Sequence, residues 1–513
     1  MKWSRSLSLS SPLLLAVALW SEPGARAANR PNILFAISDD QSWMHVGAYG
    51  DSSIRTPAFD RLAREGVRFD YAYCAAPSCA PSRAAILTGR HLWQLEEGGI
   101  LFGVLKPNQF PVFTTELGNA GYQLGATGKT YGPGRVEGGT LSTVFGAILN
   151  EHRLEERKIG ISSIDYAKNF DQFMADRDPT KPFFFWYGAS EPHQNYEVDA
   201  WKGAGKRLED ARLPRCLPDH PVTRGEILDY GLEIEHFDRH LGRILATLEA
   251  ADELKNTLVI VTSDHGNPLP RSKCNLYDSG SRVPFAVYWP ERIPGGRVVS
   301  DFVSLVDVAA TVLDAAGIEI PRSVSGSSLM PILRSRSAGR VDSKRDFVVS
   351  AFERHIICRQ DGVGYPMRSI RTHAWSYIRN DEPDRWPAGD PDFNSSHQGF
   401  FGDVDRGASK RFMLANAMDP KVRPFYLRSF GRRPKEELYD MKADPGQLQN
   451  LANRPEYALV LEQLRTRLDS FLDAQKDPRR QGVRPWDTYP FIDQRIFGNP
   501  HWRREGFPSP LPD

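Results

Sequence analysis

Short apolar runs recur along this chain, and several of them end in chemically capable polar residues. Pro31-Asn32-Ile33-Leu34-Phe35-Ala36-Ile37-Ser38 shows no polar alternation, which predicts a strand buried on both faces of a sheet. It closes on Asp39-Asp40. Thr56-Pro57 offers a cap and a first-turn proline for a helix reaching Glu65, with Gly66 behind it as a stop. Val67 to Tyr73 predicts a second strand leading to a loop at Cys79, and Ser82 to Leu87 the first turns of a helix. Thr114 to Ala120 reads as helix and Tyr122 to Ala126 as strand, followed by Gly128-Lys129. Phe183 to Tyr187 is a strand that runs toward Pro192-His193. Glu226 to Glu249 is a long amphipathic helix whose buried side is marked by Ile227, Tyr230, Ile234, Phe237, Leu241 and Leu248. Thr257 to Val261 is a buried strand ending near Asp264-His265-Gly266. Val283 to Trp289 is one more strand, and Val306 to Ala316 one more helix.

Strands alternating with helices imply an α/β fold, with a mostly parallel sheet covered on both faces. In such sheets ligands bind beyond the carboxyl ends of the strands. Asp39, Asp40, Lys129, His193, Asp264 and His265 all follow predicted strands, so the pattern alone gathers them on one rim. Beyond about Tyr365 the pattern changes. Met367 to Arg371 and Ala374 to Ile378 read as paired strands, Asp381 to Arg433 as loop, Glu437 to Asp440 as a strand and Ala458 to Ala474 as a helix. The expected division is a leader over 1–27, a catalytic domain over 28–365 and a smaller α+β subdomain over 366–513, an antiparallel sheet with a helix.

The leader reading rests on Lys2 and Arg5, the apolar core Leu13 to Trp20, and Ala25-Arg26-Ala27 as a cleavage site. The apolar core is too short to span a bilayer. A secreted or periplasmic location is expected, lysosomal in a eukaryote. The chain has 513 residues, too many for one compact core, and a formal net charge of +1. That balance argues against nucleic acid as a main partner, and no segment reads as a membrane anchor. Five cysteines are present: Cys74, Cys79, Cys216, Cys274 and Cys358. Without Cys79, four remain for two disulfides in an oxidising compartment or as free buried thiols, and their spacing follows no disulfide or metal framework.

Two acidic clusters at neighbouring strand ends would repel unless a cation lay between them. Asp39, Asp40 and Asp264 are hard oxygen donors and suit one Ca²⁺ ion, whereas the imidazole of His265 is a softer ligand. Taken singly, each Asp is also an ordinary turn residue at a strand end. Lys129 and Lys273 are candidate clamps for an anion. His193 is either a structural hydrogen-bonder or a general acid. A cysteine before a helix is either a nucleophile or a small buried residue.

The run Cys79-Ala80-Pro81-Ser82-Arg83, with Ala84-Ala85-Ile86-Leu87-Thr88-Gly89-Arg90 after it, closely resembles the signature of the sulfatase family. Asp39-Asp40, Gly128-Lys129, Glu191-Pro192-His193 and Asp264-His265-Gly266 stand in that family's order. Thr262 to Tyr277, Tyr365 to Ser369, and Glu437 to Asp440 with Asp444-Pro445 and Asn450-Leu451-Ala452 resemble its sulfamidase branch. The resemblance implies an alkaline-phosphatase-like fold and conversion of Cys79 to formylglycine by a maturating enzyme. It implies Ca²⁺ held by Asp39, Asp40, Asp264, His265 and the modified Cys79. Arg83, Lys129, His193 and Lys273 would hold the sulfo group or the leaving group. The substrate class would be a sulfated saccharide, cleaved at a sulfate ester or sulfamate, with N-sulfoglucosamine the first expectation. A phosphohydrolase on the same fold and an inactive sulfated-glycan-binding protein are the alternatives. One position departs from the family pattern: Tyr131 stands where many sulfatases carry a histidine.

Overall fold

The computed structural model describes residues 30–490 apart from 157, 396 and 397, together with Met1. The rest of the expected leader lies outside the described residues, as does 491–513. Nine strands form the main sheet. Its strands in chain order are β1 (Asn32–Ser38), β2 (Val67–Tyr73), β3 (Gln123–Gly128), β4 (Ala147–Ile148), β5 (Phe183–Gly188), β6 (Thr257–Ser263), β7 (Phe285–Tyr288) and β8 (Arg297–Ser304). They lie side by side in the order β8-β2-β7-β6-β1-β5-β3-β4, and the short pair Arg282–Val283 joins β2. β6, β1, β5, β3 and β4 run parallel, while β7 is antiparallel to both of its neighbours. The single strand expected over Val283 to Trp289 is instead two pieces, broken at Pro284, whose ring nitrogen has no hydrogen to give a ladder.

The unbroken apolar sequence of β1 is explained by what covers it. Ile33, Phe35 and Ile37 face one layer with Phe184, Trp186, Leu258 and Ile260. Leu34 and Ala36 face the other with Phe185, Tyr187, Val259 and Val261. The first layer is roofed by α2 (Cys79–Thr88), and the second by α1 (Pro57–Glu65), α3 (Tyr166–Asp176) and α4 (Pro221–Ala250). Each large side chain removed from water in these layers contributes about 1.5–3 kcal/mol. The six buried-side residues expected on α4 are all 2% exposed or less.

Two helix starts differ from expectation. Thr56 precedes α1, but its hydroxyl binds Asp60 rather than the helix N-terminus. The free amides of Ala58 and Phe59 are taken by Asp238 of α4, at 2.9 and 2.8 Å, so a packed neighbour supplies the cap. α2 starts at Cys79, not Ser82, which places the cysteine within the first turn.

A second sheet is antiparallel, ordered β9 (Phe347–Phe352), β10 (Met367–Thr372), β11 (Trp375–Asn380) and then Glu436–Asp440. The helix Ala458–Ala474 packs Leu461, Leu464, Leu468 and Leu472 against Val349, Ile370, Tyr377 and Leu438. Trp93 and Ile100 of the first body share that core. Asp381 to Arg433, expected as loop, holds the helices α5 (Ala408–Ala415) and α6 (Arg423–Phe430). Their Met413, Tyr426 and Phe430 pack on Ile227 and Leu228 of α4. Glu226 accepts the amides of Ala408 and Ser409, each at 2.7 Å, and so caps α5 from outside. The helix is hidden in the sequence because its cap and its apolar partner both lie on another element.

Glu233 of α4 is buried, and neither carboxyl oxygen has a hydrogen-bond partner. Burial, and then Glu191 and Asp229, push it up from 4.5 to about 10. The folded chain therefore keeps a proton that the unfolded chain loses above about pH 4.5, so stability falls as pH rises from that value toward 10. Glu233→Gln is expected to remove this slope. Its unfolding free energy should exceed that of the parent by about 2–4 kcal/mol at pH 8 and match it near pH 4.5, as read by denaturant melts at both pH values. Equal differences at the two pH values would contradict the assignment.

Candidate active site

The parallel strands deliver their C-terminal residues to one rim, and backbone hydrogen bonds lace that rim together. Asp264 N reaches Ser38 O at 3.2 Å, Asp39 N reaches Glu191 O at 2.9 Å, and Lys129 N reaches Gly188 O at 2.6 Å. The last contact needs glycine on both strands. Gly128 has φ +75, and a Cβ there would lie 2.0 Å from Gly188 O, while one at Gly188 would lie 1.8 Å from Lys129 O. The rim brings Asp39, Asp40, Lys129, His193, Asp264 and His265 together as the sequence predicts, and α2 adds Cys79 and Arg83.

Cys79 Sγ stands 3.5 Å from Asp39 Oδ1, 4.0 Å from Asp40 Oδ1 and 3.5 Å from His265 Nε2. All ten residues of α2 are buried. Arg83 lies one turn after Cys79 and is fully buried. Its Nε donates to Asp264 Oδ2 at 2.9 Å, and its Nη1 to the carbonyls of Lys129 and Thr130, both at 2.9 Å. Its Nη2 lies 3.6 Å from Asp39 Oδ1 and is left without a hydrogen bond. Ser82 Oγ donates to Asp264 O at 2.6 Å, which fixes α2 on the end of β6.

Asp40 adopts φ +68, a left-handed conformation that Asp tolerates better than most residues. Its amide donates to Asp264 Oδ1 at 3.1 Å, and Tyr230 of α4 holds its carbonyl at 3.0 Å. His265 Nδ1 sits 3.0 Å from Gly266 O. That contact assigns the proton to Nδ1 and leaves Nε2 facing Asp40 Oδ1 at 3.0 Å and the cysteine sulfur.

Lys129 Nζ lies 2.5 Å from Asp39 Oδ2. Lys273 Nζ lies 2.9 Å from both Asp40 Oδ2 and Asp405 Oδ2. Burial opposes both ammonium charges, yet the facing carboxylates win and hold both lysines above their ordinary value. Burial likewise pushes the Asp39 and Asp40 carboxyls up, but Lys129 at the first and Lys273 at the second carry the balance, and both acids fall below the usual carboxylate range. His193 Nε2 is 3.9 Å from Asp40 Oδ2, and its Nδ1 is 2.7 Å from Gln194 O. Lys129 keeps 20% of its side chain exposed and His193 33%, while Asp39, Asp40, Arg83, Asp264, His265 and Lys273 keep 2% or less. The mouth of the site is therefore the Lys129–His193 edge.

The side chains gathered here have the composition of a metal site. Ligand atoms of Asp39, Cys79, Asp264 and His265 lie within 4.8 Å of one another, and Asp40 joins Cys79 and His193 in an overlapping group. Four carboxylates (Asp39, Asp40, Asp264, Asp405) face three permanent cations (Arg83, Lys129, Lys273), and although burial opposes charge on His265, Asp264 and Asp40 hold its imidazole above the ordinary value. A divalent cation set among these carboxylates would add the positive charge that favours an anion at the lysines.

Two contributors were not visible in the sequence. Asp405 precedes α5 in the segment expected as loop, and Gln398 Nε2 donates to its second oxygen at 2.9 Å. His355 follows β9, with Nδ1 2.8 Å from Ser78 Oγ. No local motif marks either residue. Tyr131, which stands in place of a family histidine, is buried with its hydroxyl 3.3 Å from Gly103 O. All five cysteines are free and buried, so neither of the two disulfides that four of them would permit is formed. Among the described residues no helix is long and apolar enough to cross a membrane.

Comparison with known proteins agrees with this arrangement. The sulfatase family model matches residues 31–318, and the model of the N-sulphoglucosamine sulphohydrolase C-terminal region matches residues 271–384. The N-sulphoglucosamine sulphohydrolase of Homo sapiens is 28% identical over 509 residues, covering 92% of this chain and 95% of that one. An N-acetylglucosamine-6-O-sulfatase of Bacteroides thetaiotaomicron is 25% identical, covering 93% of this chain and 92% of that one. A structure solved with its substrate, D-glucosamine-2-N,6-O-disulfate, superposes with TM-score 0.61 at 21% identity, covering 87% of this chain and 98% of that one. The fold is alkaline-phosphatase-like, and the chain belongs to the sulfatase family of sulfuric ester hydrolases.

Proposed function

We propose that this protein removes a sulfo group from a sulfated saccharide, with N-sulfoglucosamine the first candidate substrate, through formylglycine made from Cys79. The observation that carries this reading is the placement of Cys79 in the first turn of a buried helix, its sulfur amid Asp39, Asp40 and His265. The match to the N-sulphoglucosamine sulphohydrolase C-terminal model favours the N-sulfo substrate over an O-sulfated sugar. The reading also implies export of the chain through the 1–27 leader and a partner enzyme that oxidises Cys79. That conversion replaces the thiol sulfur by a carbonyl oxygen with loss of two hydrogens.

Asp39, Asp40, Asp264, His265 and the converted residue 79 would hold one Ca²⁺ ion. Bound there, the ion supplies positive charge against the nucleophile and a sulfo oxygen. The other roles belong to the chain. In this reading water adds to the aldehyde to give two geminal hydroxyls, which Arg83 Nη2, free of a hydrogen bond, and the first amides of α2 would steady. Lys129 and Lys273 grip sulfo oxygens as one hydroxyl passes its proton to the Asp39 carboxylate beside it and forms a bond to sulfur. The S–N or S–O bond to the sugar breaks, and His193, at the open edge, protonates the leaving atom. The second hydroxyl then gives up its proton, its oxygen closes the carbonyl again, and sulfate departs with the other oxygen. A phosphohydrolase on this fold would need a serine or threonine nucleophile and usually two zinc ions, and Cys79 with this small set of His and Asp ligands argues against it.

Protein from a host able to oxidise Cys79 should show the converted peptide by mass spectrometry and release sulfate from N-sulfoglucosamine or an O-sulfated sugar. Cys79→Ala should release none, whereas retained turnover in that variant would exclude the mechanism. His193→Ala should lose about 10²–10⁴ in kcat on a sugar leaving group but far less on an aryl sulfate whose leaving group needs no proton. Equal losses on both would remove the general-acid role. Ca²⁺ should raise the unfolding free energy, by about 2.7 kcal/mol at a hundredfold excess over Kd, and Asp264→Ala should abolish that increment in a thermal melt.

A further inference from the structure

His355 lies far along the chain from the rim residues, just beyond β9, yet it borders the same site. It is 4% exposed, and its Nδ1 is engaged by the hydroxyl of Ser78, the residue before Cys79. Its Nε2 makes no hydrogen bond among the described residues. Hydrogen bonds tie the segments that carry His355 and Ser78 to the neighbouring loops of Asp405 and Lys273. The Ser78 segment is tied to the Lys273 loop by Cys274 N to Pro77 O at 2.8 Å, and the Asp403–Asp405 segment is joined to the neighbouring residue by Ile356 N to Asp403 Oδ1 at 3.4 Å. Burial, then the charges of Lys273, Asp405, His265 and Asp40, act on the imidazole and together keep it below its ordinary value. We assign the Ser78 hydroxyl as the donor to Nδ1, and the neutral ring then carries its own hydrogen on Nε2. An imidazole whose one edge is anchored beside the nucleophile, and whose other edge is a free donor among these groups, has the form of an anion contact. Tyr131 does not fill that role, since its hydroxyl is directed at Gly103 O.

We propose that His355 binds a sulfo oxygen of the substrate through Nε2–H, with Ser78 holding the ring in place. The second sheet would thereby contribute directly to the site built on the first. The inference rests on the sulfo-transfer reading above for its ligand, and a binding measurement separates the two.

The test is the affinity of the full-length, converted protein for inorganic sulfate by calorimetry, with kcat and KM on a sulfated sugar, for the parent, His355→Ala and His355→Gln. Loss of one hydrogen bond to a charged group predicts sulfate binding weakened about 10- to 100-fold in His355→Ala, with kcat/KM lowered to a similar degree. Glutamine, which retains an N–H donor, should recover part of both. Conversion of Cys79 and the melting midpoint should match the parent. The proposal is overturned if both variants bind sulfate and turn over within twofold of the parent. It is overturned equally if the losses track only misfolding or failed conversion, or if the parent itself binds no sulfate. A parent that binds sulfate in a His355-dependent way, yet releases none from any sulfated sugar, would contradict the proposed function while leaving this contact standing.

Discussion

Crowded carboxylates at the end of a buried sheet set the terms for the rest of this molecule. Asp39, Asp40 and Asp264 lie at the ends of two adjacent parallel strands, where register and close packing leave them no way to separate. Like charges at such range, away from water, destabilise one another by several kcal/mol unless compensated. Compensation is visible in every neighbour: a buried guanidinium from α2, lysines from two loops, a ring nitrogen from His265. In the proposed function the same concentration of charge that burdens folding would hold the cation and, through the lysines, the sulfo group.

Compensation also explains the architecture around the rim. Arg83 reaches Asp264 only because α2 begins at Cys79 and turns once before it. Lys273 is held between Asp40 and Asp405 only because the segment before α5 folds back onto α4, where Glu226 caps the helix. The C-terminal half of the chain is therefore part of the site. It holds the lysine from behind, and Glu226, which caps α5, also accepts Gln194 Nε2 at 3.1 Å beside His193.

Much of this was legible in the sequence because it is written in local patterns. The unbroken apolar runs of β1, β5 and β6 declare buried parallel strands, and the polar residues that end them must then share one rim. Cys79 and Arg83 share a face because α2 starts at Cys79, three residues before the start that the sequence suggests. The parts that escaped reading depend on contacts distant in sequence. Asp405 and α5 lie in a stretch rich in Asp, Pro, Arg and Gly whose order comes from Glu226 and Ile227. The cap of α1 is Asp238, not the Thr56 that precedes it. Pro284 splits a strand that apolar content alone would run through. His355 carries no motif, and only the fold sets it beside Ser78.

The central claim is that these carboxylates and the side chain at position 79 share one divalent ion. The most direct measurement is a crystal structure of protein purified from a host that converts Cys79, grown with calcium and recorded at a wavelength where calcium scatters anomalously. The account predicts one anomalous peak within bonding distance of Asp39, Asp40, Asp264 and His265 Nε2, with oxygen in place of sulfur at residue 79. A cluster without a peak, its lysines still bound to the carboxylates around an intact thiol, would contradict it.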